Sequence, residues 1–80
     1  MSEELEKMKV YPNPMQDALR ISGEISCKYR LLDMAGNLLL QGEKPSGDFT
    51  LDVSQLPAAV YQLQLEDDSA VKNLKLIKIQ

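Results

Sequence analysis

The chain has 80 residues, a net charge of −3, one cysteine and no histidine. A chain of this length forms one small domain that buries about two-thirds or less of its unfolded surface, so a core leaves no room for a deep active site. The missing histidine removes the usual general base and metal ligand. The mild acidity argues against a nucleic-acid partner, which needs clustered basic charge. We therefore expect no enzyme, no metal and no cofactor.

Neither a membrane segment nor a leader is predicted. No apolar run approaches the ~20 residues of a membrane span, and no basic segment followed by an apolar one opens the chain. If the parent protein is exported, its signal peptide is expected on a longer precursor. Cys27 has no partner for an internal disulfide, and its place in an alternating run predicts a small buried apolar residue.

The opening segment sets the start of the domain. Residues 1–8 are mostly polar and are expected to be a linker or a cloned addition, with the domain over residues 9–80. Two prolines one residue apart, Pro12 and Pro14, exclude a helix or a central strand. The residue before each proline is biased toward extended backbone. The sequence Val10-Tyr11-Pro12-Asn13-Pro14 thus predicts a stiff, extended opening, and we expect the domain to be attached to a preceding part of a longer protein.

From Lys9 onward, apolar and polar residues alternate with a period of two, which is typical of half-buried strands. The alternation is cleanest at Tyr61, Leu63 and Leu65. The predicted strands are 8–11, 17–22, 26–33, 37–42, 48–53, 59–66 and 70–79. Seven short strands at roughly 8–12-residue spacing predict an all-β antiparallel sandwich.

Three turns separate the later strands. In the hairpin loop 33–37, Gly36 is available for positive φ and Asp33 can accept hydrogen bonds from its own turn. Residues 44–48 are expected to be a loop. Residues 66–69 form an acidic turn, and the spacing of its carboxylates does not match an ordered calcium loop, so a solvated turn is expected.

The last predicted strand carries apolar residues in both phases. Leu74 and Leu76 share one phase, whereas Ile77 and Ile79 share the other. Either a β-bulge separates Leu76 from Ile77, or both faces of the strand are covered. As an exposed edge, this proline-free segment would invite pairing with another chain, a second copy included.

Three motifs occur in order along the chain: the opening 11–14, the hairpin turn 32–37, and the segment 51–61, which joins two predicted strands. Here a strand ends at Val53, a polar turn returns Leu56 to the core, Pro57 stiffens the corner, and Tyr61 opens the next strand. In this order, the three motifs resemble the C-terminal sorting domains of cargo proteins of the type IX secretion system of Bacteroidota. The resemblance covers Val10 to Gln80, and its matching residues are Tyr11, Pro12, Asn13, Pro14, Asp33, Gly36, Leu56, Pro57 and Tyr61.

One residue departs from the family pattern. Ala59 stands two residues before Tyr61, where the family usually has glycine. Glycine adopts positive φ easily and alanine does not. Either this turn is built differently, or it is strained.

The resemblance implies an immunoglobulin-like sandwich that acts as an export label. An upstream cargo domain of the same precursor would fold in the periplasm, and the outer-membrane machinery would recognise the label and pass the cargo to the surface or the medium. A surface sortase commonly cuts upstream of such a label. The expected place for a cut is the segment 2–7.

The expected recognition surface is the end of the last strand, because the signal of this family concentrates near the carboxyl terminus. Its residues are Lys72, Lys75, Leu76, Ile77, Lys78, Ile79 and Gln80. The alternative role of these lysines is to protect an edge strand from aggregation. The alternative function is a fibronectin-like spacer or binding module of a secreted hydrolase or adhesin.

Overall fold

A computed structural model describes Leu5 and residues 7–79. Its strands are β1 (Lys9–Tyr11), β2 (Ala18–Ser22), β3 (Cys27–Asp33), β4 (Leu38–Lys44), β5 (Phe49–Asp52), β6 (Ala59–Glu66) and β7 (Val71–Lys78). Every predicted strand is present. The largest error is at the end of β4, which runs to Lys44 instead of residue 42.

The strands form two antiparallel sheets. One has the order β1-β2-β5 and the other the order β4-β3-β6-β7. In immunoglobulin constant domains the fourth strand pairs with the fifth, whereas here β4 pairs with β3. The predicted immunoglobulin-like sandwich is confirmed, with three strands facing four.

The core lies between the sheets, and the strands contribute to it the residues that alternation assigned to one face. Across the two sheets, the rings of Tyr29 on β3 and Phe49 on β5 lie with centroids 5.6 Å apart. Tyr29 also lies against Gly42 of β4, where an added Cβ would come within 2.8 Å of the tyrosine hydroxyl. The buried apolar residues of the strands are Leu19, Ile21, Cys27, Tyr29, Leu31, Leu51, Tyr61, Leu63, Leu65 and Leu76.

Both explanations offered for the last strand are wrong. β7 pairs with β6 without a break, from Ala59 opposite Lys78 to Glu66 opposite Val71, so no bulge separates Leu76 from Ile77. Within the described residues the second face is not covered either, because Ile77 is 43% exposed and Ile79 is 49% exposed. The irregularity of this sheet lies instead between β3 and β4, at Leu31 and Leu32.

The opening segment is extended only as far as Tyr11. Beyond β1 the chain bends at Asn13 and Pro14 and reaches the other sheet, where Met15 forms a parallel bridge with Lys78. The Tyr11–Pro12 and Asn13–Pro14 peptide bonds are cis. The segment belongs to one sheet at β1 and to the edge of the other sheet at Met15.

The turn at Ala59 is built differently from the expected glycine turn. Ala59 is the first residue of β6, and none of the described residues other than glycine has positive φ. The alternative of a strained alanine is therefore wrong.

Lys44 lies at a position that the sequence assigned to a loop. It ends β4 opposite Cys27, and its side chain is fully buried. The ammonium donates to the carbonyl oxygens of Gly23 at 2.9 Å, Ile25 at 2.8 Å and Pro45 at 2.8 Å. A buried charge is tolerated when its hydrogen bonds are complete, and these bonds join two loops to the end of the strand.

Replacing this ammonium should cost a large part of the stability. Lys44→Met leaves three carbonyl groups without their donor, and we expect the free energy of unfolding to fall by about 2–4 kcal/mol. Urea denaturation measures the change. Lys28→Met, at an exposed position of the neighbouring β3, is the control and should change stability by less than about 0.5 kcal/mol. Equal losses in the two variants would contradict the role given to Lys44.

Candidate functional site

The candidate site is β7 and the segment that packs on its outer edge. β7 is the last strand of the four-stranded sheet, with β6 on one side. Leu76 and Lys78 face the core and are 2% and 3% exposed, whereas Lys75, Ile77 and Ile79 point to the opposite, exposed face.

The three lysines of β7 do not form one surface. Lys72 is half-buried and donates to the carbonyl oxygen of Met8 at 3.2 Å. Lys78 is buried opposite Ala59, while Lys75 is exposed opposite Gln62. A partner of the folded domain can contact the side chain of Lys75 but not those of Leu76 or Lys78. Gln80 lies outside the described residues.

Asn13 binds the outer edge of β7 through its side-chain amide. Its Nδ2 donates to the carbonyl oxygen of Lys75 at 3.2 Å, and its Oδ1 accepts from the backbone N–H of Ile77 at 3.1 Å. Met15 continues the contact with its backbone, since its N–H donates to the carbonyl of Ile77 at 2.7 Å and its carbonyl accepts from Ile79 N–H at 3.1 Å. We name Asn13–Met15 the strap.

The residues before β1 contact the first part of β7. The carbonyl of Met8 accepts the hydrogen bond from Lys72, and the N–H of Met8 donates to the carbonyl of Leu5 at 3.2 Å. Met8 is buried, and Leu5, inside the predicted linker, is 1% exposed and belongs to the core cluster. The beginning of the described chain is thus held to β7 at two places, here and at the strap.

Asp33 organises the hairpin between β3 and β4. Its Oδ1 accepts from the N–H groups of Ala35 at 3.0 Å and Asn37 at 2.9 Å, and its Oδ2 accepts from the Asn37 amide at 3.0 Å. Gly36 has a φ of 91°, which this turn requires. The hydrogen bonds from Asn37, with those from Ala35 and Gly36, lower the pKa of Asp33 below its ordinary value.

The third motif forms a tyrosine corner, which the sequence analysis missed. The Tyr61 hydroxyl donates to the carbonyl oxygen of Pro57, four residues earlier, while Leu56 packs against the core. A buried tyrosine bonded back across the corner between the fifth and sixth strands is a hallmark of immunoglobulin-like sandwiches. The spacing of Pro57 and Tyr61 was the available signal.

Other groups offer little chemistry. A polar depression of about 430 Å³ is lined by Ser26, Cys27, Lys28, Glu43, Glu66, Asp67 and Asp68, but no metal-binding group of three ligands occurs among Leu5 and residues 7–79. Cys27 is buried, and desolvation raises the pKa of its thiol. No helix in the described part of the chain has the length and hydropathy needed to cross a membrane.

Comparison with known proteins identifies the family. Residues 9–80 match the profile of the secretion system C-terminal sorting domain. The chain belongs to this family. The match confirms the resemblance to type IX sorting domains, and such a domain is the C-terminal secretion signal of its cargo protein. No curated protein is similar enough to count as a match.

A solved structure supports the fold. The chain superposes with a TM-score of 0.84 on PorZ, described as an essential bacterial surface component of the type-IX secretion system of Porphyromonas gingivalis. The sequence identity is 24%, and the match covers 99% of this chain but 12% of PorZ. This sorting domain therefore corresponds in fold to a small part of that protein.

The tyrosine corner predicts a measurable contribution to stability. Tyr61→Phe removes the hydroxyl and leaves the Pro57 carbonyl without this donor, so we expect the free energy of unfolding to fall by about 1–2 kcal/mol. Urea denaturation of Tyr11→Phe, which changes an exposed tyrosine, provides the control. An unchanged stability in Tyr61→Phe would contradict the corner.

Asp33 predicts a specific pH dependence. The pKa of Asp33 in the folded protein is lowered from an ordinary value of 3.8. The contribution of its carboxylate to the free energy of unfolding is therefore complete above the unfolded-state pKa, and it is lost as the pH falls through the lower folded-state value. Urea midpoints measured from about pH 6 to about pH 2 should differ most between the parent chain and Asp33→Asn at the upper end, and converge in acid. Asp68→Asn, in the turn after β6, is the control. A difference that does not shrink in acid would contradict this role.

Proposed function

We propose that the secretion machinery recognises this sorting domain in its folded form, on the exposed face of β7 at Lys75, Ile77 and Ile79. The main support is the placement of these side chains, which share one face at the end of the last strand and remain accessible while Leu76 and Lys78 are buried. Exposed apolar side chains beside a lysine suit a partner with an apolar, acid-rimmed surface.

The family role extends to a route for the cargo. We propose that an upstream cargo domain crosses the periplasm, that the machinery passes it to the cell surface or medium, and that a surface sortase then cuts before the domain. A cut in the predicted segment 2–7 has to avoid Leu5, because the backbone beside a buried core residue is poorly accessible to a protease.

The domain acts in this proposal as a ligand without catalytic activity of its own. Membership in a sorting family favours this role. The fibronectin-like spacer or binding module is not favoured, because the family match is to a sorting signal. A dimer formed through an edge strand stays a prediction.

Export of a fusion protein tests the proposal. The 80 residues are placed behind a signal peptide and a fluorescent protein, in Bacteroidota strains with and without the type IX system. We expect surface or extracellular fluorescence only in the competent strain. Ile77→Ser with Ile79→Ser should lower export about tenfold or more, as loss of a binding hot spot does.

A matched change separates recognition from general surface polarity. Leu38→Ser with Leu39→Ser alters two exposed apolar residues of β4, on the opposite edge of the same sheet, and should leave export near the parent level. Urea denaturation verifies that both variants are folded. Equal export of the two folded variants would place recognition elsewhere, whereas periplasmic retention of the parent in both strains would refute the sorting role.

A further inference from the structure

Within Leu5 and residues 7–79, the outer edge of β7 has an occupied half and an open half. Backbone groups that point away from β6 belong to alternate residues, namely Val71, Asn73, Lys75, Ile77 and Ile79, because the strap bonds to the last three of them. Among the described residues, no backbone hydrogen bond reaches the outward groups of Val71 and Asn73.

The strap shows which kind of segment this edge accepts. Met15 bonds Ile77 and Ile79 in the pattern of a parallel strand, and the carboxamide of Asn13 reproduces one further donor and acceptor of a backbone. The occupied half of the edge is therefore covered by a surrogate strand only a few residues long. No further strand of the described chain covers it.

The strap is held more weakly than the strand on which it lies. β7 is paired with β6 over all its eight residues, whereas the strap adds four hydrogen bonds at its outer edge. Asn13 and Pro14 are exposed, and only Met15 is buried. Segments with few buried contacts open at lower free energy than core strands do.

We propose that the strap is a displaceable cover of the last strand, and that the secretion machinery adds an extended segment of its own chain to this edge. The open groups at Val71 and Asn73 accept the segment first, and pairing then spreads to Ile77 and Ile79 as the strap leaves. Main-chain bonds supply the affinity of such strand addition. The inference rests on the proposed function, since it states how the secretion machinery binds β7.

Amide hydrogen exchange of the 80-residue chain tests the cover without any partner. The N–H groups of Ile77 and Ile79 bond to the strap, whereas those of Leu74 and Leu76 point to β6. We expect the first pair to exchange through local opening, faster than the second. Asn13→Ala should accelerate Ile77 exchange about tenfold and leave Leu76 unchanged. Equal exchange of Ile77 and Leu76 in the parent chain would overturn the proposal.

A cross-link tests whether the strap has to leave. Met15 and Lys78 are bridge partners, so a disulfide between cysteines at both positions fixes the strap on β7. In a Cys27→Ala background, we expect the oxidised Met15→Cys/Lys78→Cys fusion to remain in the periplasm and the matched Met15→Ser/Lys78→Ser fusion to be exported. Export of the cross-linked protein at the serine level would overturn displacement.

Two controls keep the outcomes distinct. Arg20→Cys/Thr50→Cys joins paired, exposed residues of β2 and β5, in the other sheet from the strand that the strap covers, and should be exported, which shows that a disulfide alone does not block passage. Hydrogen exchange of the parent chain tests whether the strap opens from β7, and it does so even if a substitution at the buried Met15 prevents folding. Failure of parent export refutes the sorting role, whereas export of the locked variant refutes only the strap.

Discussion

The contact between the strap and the outer edge of β7 joins the two sheets at one edge of the sandwich. The segment after β1 leaves the three-stranded sheet and bonds to the four-stranded one, so the two sheets are joined by hydrogen bonds as well as by the core between them. Asn13 is effective here because its amide carries both a donor and an acceptor in the spacing of a backbone. Pro12 and Pro14 have no backbone N–H, so neither could donate a hydrogen bond to β7 in place of the Asn13 amide.

This contact also makes the last strand inseparable from the first residues of the domain. Removing the end of β7 would take away the partners of Asn13 and Met15 and uncover the buried side chain of Met15. A truncation at this end therefore changes both the recognised surface and the folding of the domain. Point changes on the exposed face of β7 alter the surface while the hydrogen bonds to β6 stay in place.

Much of the fold follows from periodicity, because a half-buried strand must alternate. Leu19, Leu31 and Leu63 are buried as their phase requires. Periodicity fails where long-range bonds override local preference. Lys44 has loop neighbours and a charge, yet it is buried, and its ammonium binds two carbonyls of the loop between β2 and β3 and the carbonyl of Pro45. Lys78 shares the phase of Leu74 and Leu76 and is buried on the same face, although its charge would favour an exposed position.

The burial of Leu5 determines where the sorting domain must begin when it is fused to another protein. The family profile begins at residue 9, but the hydrophobic interior continues upstream to a leucine that is almost fully enclosed. A fusion joined at residue 9 would lack Leu5 and Met8 and would leave a cavity in the core at their positions. Only side chains of the attached cargo sequence could fill this cavity. The junction is therefore part of the core's packing, and cargo proteins with different residues there would give the same label different stabilities.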